Sequence, residues 1–386
     1  MSRSVFINAT NSFFPNEPVG NEAIENVLGT YKDRPSKCRR VVLESNQIKT
    51  RYYAIDPATR KPTHTNSQMT AEAVLGLFTQ NPELNLKDVQ LLCCGTSSPD
   101  LLIPAHGQMV QGNLAEFSGE VVTTAGVCCS SMSALKMAYL SVLAGDTSAA
   151  VVTGSEVPSK SMRAEFFESE SDSKVEELKK NPMIAFEHEF LRWMLSDGAG
   201  AFYLSNQALP GKTNLKINWI EGRSYANEVP VCMYAGGNRE TDGTVTPWKD
   251  LRLLEGFEKN KYVMNLGQDV RLLKEKIATY TVERPLTELK KKRGLKPGDY
   301  AWFVPHFSSD FFREILFSSL TQVDFQIPYD RWFTSLYEKG NVGSASVFVS
   351  LDELIRTKKL NPGEKILCYN PESARFSAYY MELEVV

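Results

Sequence analysis

The stretch that most constrains this chain runs from Val121 to Gly145 and reads VVTTAGVCCSSMSALKMAYLSVLAG. A β-branched run, Val121-Val122-Thr123-Thr124, stops at Ala125-Gly126. Apolar residues then recur at Met132, Leu135, Ala138, Tyr139 and Val142. That change to a helical spacing with one buried face predicts strand, tight turn and helix. Cys128 falls at or just before the first helical turn. Unpaired N–H groups there favour negative charge, which lowers a thiol's pKa and readies the thiolate as a nucleophile. Free cysteine is also among the most buried residue types, and the local pattern alone fits core thiols at Cys128 and Cys129 better. Only distant partners can reverse that balance.

The rest of the chain alternates strand and helix signals. Strands are predicted over Ser4 to Thr10, Val89 to Cys94, Ala149 to Gly154 and Ala201 to Leu204. Helices are predicted over Asn21 to Leu28 and Thr70 to Phe78, with another starting at Ile103-Pro104-Ala105-His106. Residues 157 to 193 break the pattern. They are Ser/Glu/Lys-rich, then aromatic at Phe186, Phe190 and Trp193, and read as an excursion that covers or lines something. The second half has a strand over Leu215 to Ile220 and a long helix over Asn265 to Tyr280. The strand Ala301 to Pro305 ends at His306, and a glycine/serine turn from Gly340 enters a helix through Leu354. Closing strands follow at Ile366 to Tyr369 and Ser377 to Val385. This alternation predicts an α/β fold with a largely parallel core. Two such halves, 1–205 with the excursion and 206–386, suggest internal duplication.

Composition excludes several function classes. Hydrophobic residues at 42% and charged residues at 23% describe an ordinary globular chain rather than a disordered one. A net charge of −3 gives no basic field for nucleic acid. No apolar run is long enough to span a bilayer, and the first residues lack a signal-peptide apolar region. Seven cysteines, with two adjacent pairs and no CxxC spacing, make neither a disulfide framework nor a zinc site. Reduced thiols in the cytoplasm are expected, with no metal and no bound cofactor.

Cys128, His306 and Asn341 occupy comparable places, each following an apolar strand or turn and opening a helix. Sites in open α/β sheets collect at the carboxyl ends of strands. A thiol, a histidine and an amide donor are the parts acyl transfer needs. Cysteine carries the acyl group as a thioester, histidine moves a proton or donates to a carbonyl oxygen, and asparagine donates to an enolate or oxyanion. A papain-like protease uses the same residue types, but the order, spacing and glycine-rich context of Asn341 count against it. Glu156, at the end of the strand after the nucleophile helix, is a candidate second base; a solvated or ion-paired carboxylate is the equal alternative. His64, His106 and His188 read as solvated or structural.

With those residues in place, the chain resembles the thiolase superfamily, in particular the β-ketoacyl-acyl-carrier-protein synthase III group. Thr96-Ser97-Ser98-Pro99-Asp100 with Ile103-Pro104, and Cys128 with Ala134-Leu135, match the first half of that pattern. Asp197-Gly198-Ala199-Gly200-Ala201, Val304-Pro305-His306, and Gly340-Asn341 with Ser344-Ala345-Ser346 match the rest in order. The resemblance implies a thiolase fold, a duplicated αβαβα five-layered sandwich, normally a homodimer. It implies Cys128 as the acylated nucleophile and His306 with Asn341 as the pair that stabilises the condensing carbanion. Cys129 stands where the group has a small residue and takes a structural role. Ile103 becomes a candidate floor for the partner's acyl pocket.

The departures narrow the resemblance. His306-Phe307-Ser308-Ser309 replaces the usual His-Gln-Ala-Asn, which makes Phe307 and Ser308 candidate substrate contacts. Asn370-Pro371-Glu372-Ser373-Ala374-Arg375-Phe376 replaces a glycine-rich oxyanion loop, which puts Ala374 in the same class. The wording around Cys128 and the long excursion also differ from fatty-acid starter enzymes. Together these resemble the ketosynthase/cyclases of the StlD/DarB type, which make 1,3-cyclohexanedione precursors of dialkylresorcinols and isopropylstilbene. Such enzymes join a β-ketoacyl thioester to an α,β-unsaturated acyl thioester by Claisen condensation and Michael addition. Substrates would arrive on acyl carrier protein or coenzyme A. An acidic carrier protein predicts a local basic patch, with Lys37, Arg39, Arg40, Lys274, Lys276 and Arg313 as candidates. The rival readings are a conventional malonyl-decarboxylating synthase III or related acyltransferase, and a non-catalytic partner subunit.

Overall fold

The apolar runs pair into one sheet. The computed structural model describes residues 3–30, 34–166, 176, 178–180, 187, 191–255 and 263–386. Numbered in chain order, its central strands are β1 (Phe6–Phe13), β2 (Leu91–Thr96), β3 (Glu120–Ala125), β4 (Ala149–Glu156) and β5 (Gly198–Ser205). The later ones are β6 (Leu215–Ser224), β7 (Trp302–Pro305), β8 (Lys365–Glu372) and β9 (Ser377–Val385). They lie in the order β7-β8-β9-β6-β1-β5-β4-β2-β3. Strands before residue 206 form one contiguous block and those after it another. The blocks are joined in the sheet where Phe6 and Ile7 pair with Lys216 and Leu215. The result is a mixed α/β fold around a large central sheet.

The sheet corrects the expectation of a largely parallel core. Parallel pairing is confined to β2–β3, β2–β4 and β7–β8. The pairs β4–β5, β5–β1, β1–β6, β6–β9 and β9–β8 are antiparallel. The apolar runs indicate burial on both faces, which either direction satisfies. Connection length sets the direction instead: four residues between β8 and β9 permit only an antiparallel hairpin.

Helix placement follows capping chemistry. Helix α1 (Asn66–Gln80) opens with a capping box: Thr65 Oγ1 accepts from Gln68 N–H, and Gln68 Oε1 accepts from Thr65 N–H. The others that matter are α2 (His106–Gln111), α3 (Ser130–Ala144), α4 (Val270–Ala278), α5 (Arg284–Arg293), α6 (Phe311–Gln322) and α7 (Ser346–Thr357). The helix expected from Asn265 begins only at Val270, because Asp269 accepts from Leu272 N–H at 2.9 Å and fixes the start there. It also does not stop at Tyr280. A π turn over Thr279–Glu283 carries it into α5, which ends at Gly294 in the left-handed conformation.

Helices α3 and α7 lie against one face of the sheet. Met132, Leu135, Phe202, Phe348 and Leu351 are fully buried between them, and the Phe202 and Phe348 rings stack at 4.1 Å. On the opposite face of the first block, Met69, Val74 and Leu77 of α1 pack against Leu92, Val151 and Tyr203. A third buried cluster joins α4, α5 and α6 to β7, β8 and β9. Trp193 is buried there, whereas Phe186, His188 and Phe190 lie outside the described residues. Among the described residues no helix is long and apolar enough to cross a membrane.

Candidate active site

Two strand ends and a glycine turn deliver the polar residues to one place. Cys128 stands in the turn between β3 and α3, two residues before the helix begins. His306 directly follows β7, and its backbone N–H donates to Tyr369 O at 2.8 Å, which ties it to the neighbouring strand β8. Asn341 sits just before α7, with its N–H donating to Met194 O at 2.9 Å. Its Oδ1 accepts from Gly343 N–H at 3.0 Å, so the amide oxygen is committed and the amino end is left for a ligand. All three residues line one cavity of about 830 Å³. Glu156, Phe307 and Ser308 line the same cavity. Its apolar wall includes Met162, Leu195, Ile277, Val282, Phe312 and Leu316.

Burial sets the charge states. It lowers the His306 pKa to about 4, so the imidazole is neutral at physiological pH and can accept a proton. Burial also pushes the Cys128 thiol well above its ordinary value, and the carboxylates of Glu372 and Glu156 add to the shift. This overturns the expectation that the start of α3 lowers that pKa. The N–H groups of Val127 and Cys129 donate to Glu372 Oε2 at 3.0 and 3.1 Å. A carboxylate, not the thiolate, already holds the positive end of the turn.

Glu156 is neither solvated nor ion-paired. It is 4% exposed at the end of β4. Ser97 N–H and Ser344 N–H donate to Oε1 at 3.1 and 3.2 Å, and the Ser97 and Ser98 hydroxyls donate to Oε2 at 2.6 Å each. Among the described residues no cation lies within ion-pair distance of it. Burial outweighs the four donors and raises its pKa. A carboxyl held close to a thiol and a neutral histidine, with a raised pKa, suits proton abstraction.

Two expected substrate contacts are not in this cavity. Ile103, next to the cis Ile103–Pro104 bond, is 87% exposed and lies outside the cavity of its own chain. Ala374 does not line it either: its carbonyl is turned to Cys232 N–H at 2.8 Å, because residues 370–372 extend β8 and leave only a tight turn before β9. Pro371 and Ser373 reach the cavity instead. Cys129 is buried and its Sγ–H donates to Asn370 O at 3.2 Å. His106 is buried at the start of α2, with Nε2 3.2 Å from Ser155 Oγ. His64 is half-buried, edge-on to Phe13. Of the basic candidates, Arg39 pairs with Glu22 and Glu25, Arg40 with Glu44 and Arg313 with Asp310. Lys274 is exposed on α4, whose Leu273 and Ile277 line the cavity.

Comparison with known proteins gives the site its context. The sequence profile described as 3-oxoacyl-[acyl-carrier-protein (ACP)] synthase III C terminal matches residues 290–370, around His306 and Asn341. The profile described as beta-ketoacyl synthase, N-terminal domain, matches residues 106–208, around Cys128 and Glu156. A beta-ketoacyl-[acyl-carrier-protein] synthase III from Methylococcus capsulatus is 24% identical over 374 residues, covering 95% of each chain. The solved structure of AbyA1, a tetronic acid condensing enzyme, superposes with a TM-score of 0.74 at 19% identity over 98% of this chain and 99% of that one. A 3-oxoacyl-(acyl carrier protein) synthase III from Xanthomonas oryzae superposes with a TM-score of 0.72 at 17% identity, covering 99% and 98%.

Proposed function

Because the chain is a condensing acyltransferase of the thiolase superfamily, similar to 3-oxoacyl-acyl-carrier-protein synthase III, we propose that it is a ketosynthase/cyclase. It joins a β-ketoacyl thioester to an α,β-unsaturated acyl thioester and closes a 1,3-cyclohexanedione, a precursor of dialkylresorcinols or stilbenes. The observation that carries this reading is the buried, hydrogen-bonded carboxyl of Glu156 in the same cavity as Cys128, His306 and Asn341. A malonyl-decarboxylating synthase generates its carbanion by losing carbon dioxide. Joining two units that keep all their carbons requires a base that takes a proton from carbon, and Glu156 fills that role.

The Cys128 thiol gives its proton to His306, attacks the unsaturated acyl thioester and releases the carrier thiol. Glu156 removes a proton from an acidic carbon of the β-ketoacyl unit, and the Asn341 amino group donates to the enolate oxygen. That carbanion adds to the β-carbon of the enoyl unit, forming the Michael bond. The enolate this leaves takes the proton back from Glu156, which restores the base. Glu156 then removes a proton from the second acidic carbon. This carbanion attacks the thioester carbonyl and expels the Cys128 sulfur, which is reprotonated to the thiol as the Claisen bond forms. The ring leaves the site still carrying the β-ketoacyl unit's own carrier thioester. Holding both units in one apolar cavity supplies on the order of 7–11 kcal/mol through positioning in favourable cases. Carrier-bound substrates and a homodimer complete the proposal.

The test is mass spectrometry of the purified protein with an α,β-unsaturated and a β-ketoacyl thioester, and Cys128→Ala as control. A cyclohexanedione mass that vanishes in the variant is expected. A Cys128 adduct without cyclic product, combined with extension by malonyl carrier protein, would replace this reading with a conventional synthase III.

A further inference from the structure

The end of β8 grips the nucleophile turn across the molecule. Asn370 Nδ2–H donates to Cys128 O at 2.7 Å, and Cys129 Sγ–H donates to Asn370 O at 3.2 Å. Two residues on, a single oxygen of Glu372 accepts from both Val127 N–H and Cys129 N–H. These four bonds link residues more than 240 apart and bracket Cys128 on both sides. The end of β8 thus places the carboxyl group of Glu372 beside the thiol. Among the described residues no cation pairs with Glu372, and burial raises its pKa against the opposing pull of the two amide donors.

We propose that Glu372 is a positioning residue for Cys128. Its carboxylate fixes the nucleophile turn through the two flanking amides, and its charge adds to burial in keeping Cys128 a neutral thiol while the site is empty. The groups facing the thiol are consistent with that role. Glu372 comes from β8 and Glu156 from β4, both carboxyl groups. Cys129 and Tyr379, which also sense Glu372, are held neutral by burial. His306, from the end of β7, is neutral. No positive charge in this set favours a thiolate. The thiolate therefore forms only when an acyl donor occupies the cavity and His306 takes the proton, which protects the nucleophile from alkylation and oxidation between turnovers.

The inference rests on Cys128 as the nucleophile, but its test does not need turnover. Iodoacetamide is added to the full-length protein across pH 6 to 10, and the adduct on Cys128 is located and timed by peptide mass spectrometry. Glu372→Gln keeps an acceptor oxygen for the two amides and removes the charge. One neighbouring charge shifts a pKa by about one to three units, so alkylation of Cys128 at pH 7 should accelerate about tenfold or more. Its pH midpoint should fall, while Glu372→Asp, which keeps the charge, should stay close to the unmodified protein. An unchanged midpoint in a folded Glu372→Gln protein would overturn the proposal. If that variant does not fold, the unmodified protein decides: a Cys128 midpoint at or below about 8.5, the value of an ordinary cysteine, overturns it equally. Loss of the Cys128→Ala effect on product formation would sink the enzymatic reading and leave the alkylation result standing.

Discussion

At the scale of single residues, the candidate site was legible where chemistry follows local pattern. Cys128, His306 and Asn341 each stand where an apolar strand or glycine turn meets a helix, and the sequence shows those junctions directly. Glu156 was legible as a position, but its state was not. Ser97, Ser98 and Ser344, which hold it, come from two other segments, and only folding brings their hydrogens to its oxygens. Glu372 was illegible as a partner, since its contact with the nucleophile turn spans about 245 residues. Burial, joined by this contact, explains why the helix-start argument for Cys128 failed: the thiol is desolvated, and a competing anion has taken the amides on either side of it. Glu156→Gln keeps the side chain's volume and one acceptor oxygen for the backbone donors, yet cannot take a proton from carbon. Acylation of Cys128 should persist within about threefold, while ring formation falls by about 10²–10⁴-fold, the usual worth of a general base. Single-turnover mass spectrometry separates the two steps. Equal losses in both would mean that Glu156 shapes the turn around the site rather than the carbon chemistry.

Among elements, α3 and its seat on the sheet matter most. The strand–turn–helix succession over β3 and α3 was legible because the apolar spacing changes from β-branched run to helical stripe within a few residues. The sheet directions were not, because a doubly buried strand carries the same apolar signal in either direction. The seat itself depends on two residues without side chains. A Cβ on Gly95 of β2 would lie 2.5 Å from Ser131 N and Cα, and one on Gly154 of β4 would lie 2.8 Å from Ser131 Cβ and Ser344 O. The obstacle at Gly95 is helix backbone, which cannot rotate away as a side chain can. Gly95→Ala should therefore push α3 off the sheet and cost about 1–3 kcal/mol of stability. It should also carry Cys128 away from His306 and Asn341, with a 1 Å displacement sufficient for about 10²-fold in rate. Denaturant midpoints and turnover check both effects. Native stability with normal turnover would show that the helix rides farther from β2 than this packing requires.

Across the whole molecule, the two strand blocks meet at a pair of residues in the sheet, and the fold leaves β3 as one outer edge. Its residues Val121 to Thr124 are only half-buried. Unpaired edges of this kind are normally covered or paired. In the loop before α2, Leu101, Leu102 and Ile103 are exposed by 48%, 68% and 87% in succession. Such an apolar run on a surface marks a contact site. Leu102 also lines the active-site cavity, so whatever covers this patch continues the cavity wall. These features support the homodimer of the proposal, in which Ile103, exposed in its own subunit, would reach the partner's acyl pocket. Light scattering should give twice the mass of one chain. The double substitution Leu102→Glu and Ile103→Glu replaces exposed side chains and should leave the fold of each subunit intact. It should nonetheless yield a monomer and reduce condensation, because the cavity loses a wall. A dimer that survives these charges would place the interface elsewhere, and a monomeric parent protein would end the argument for one.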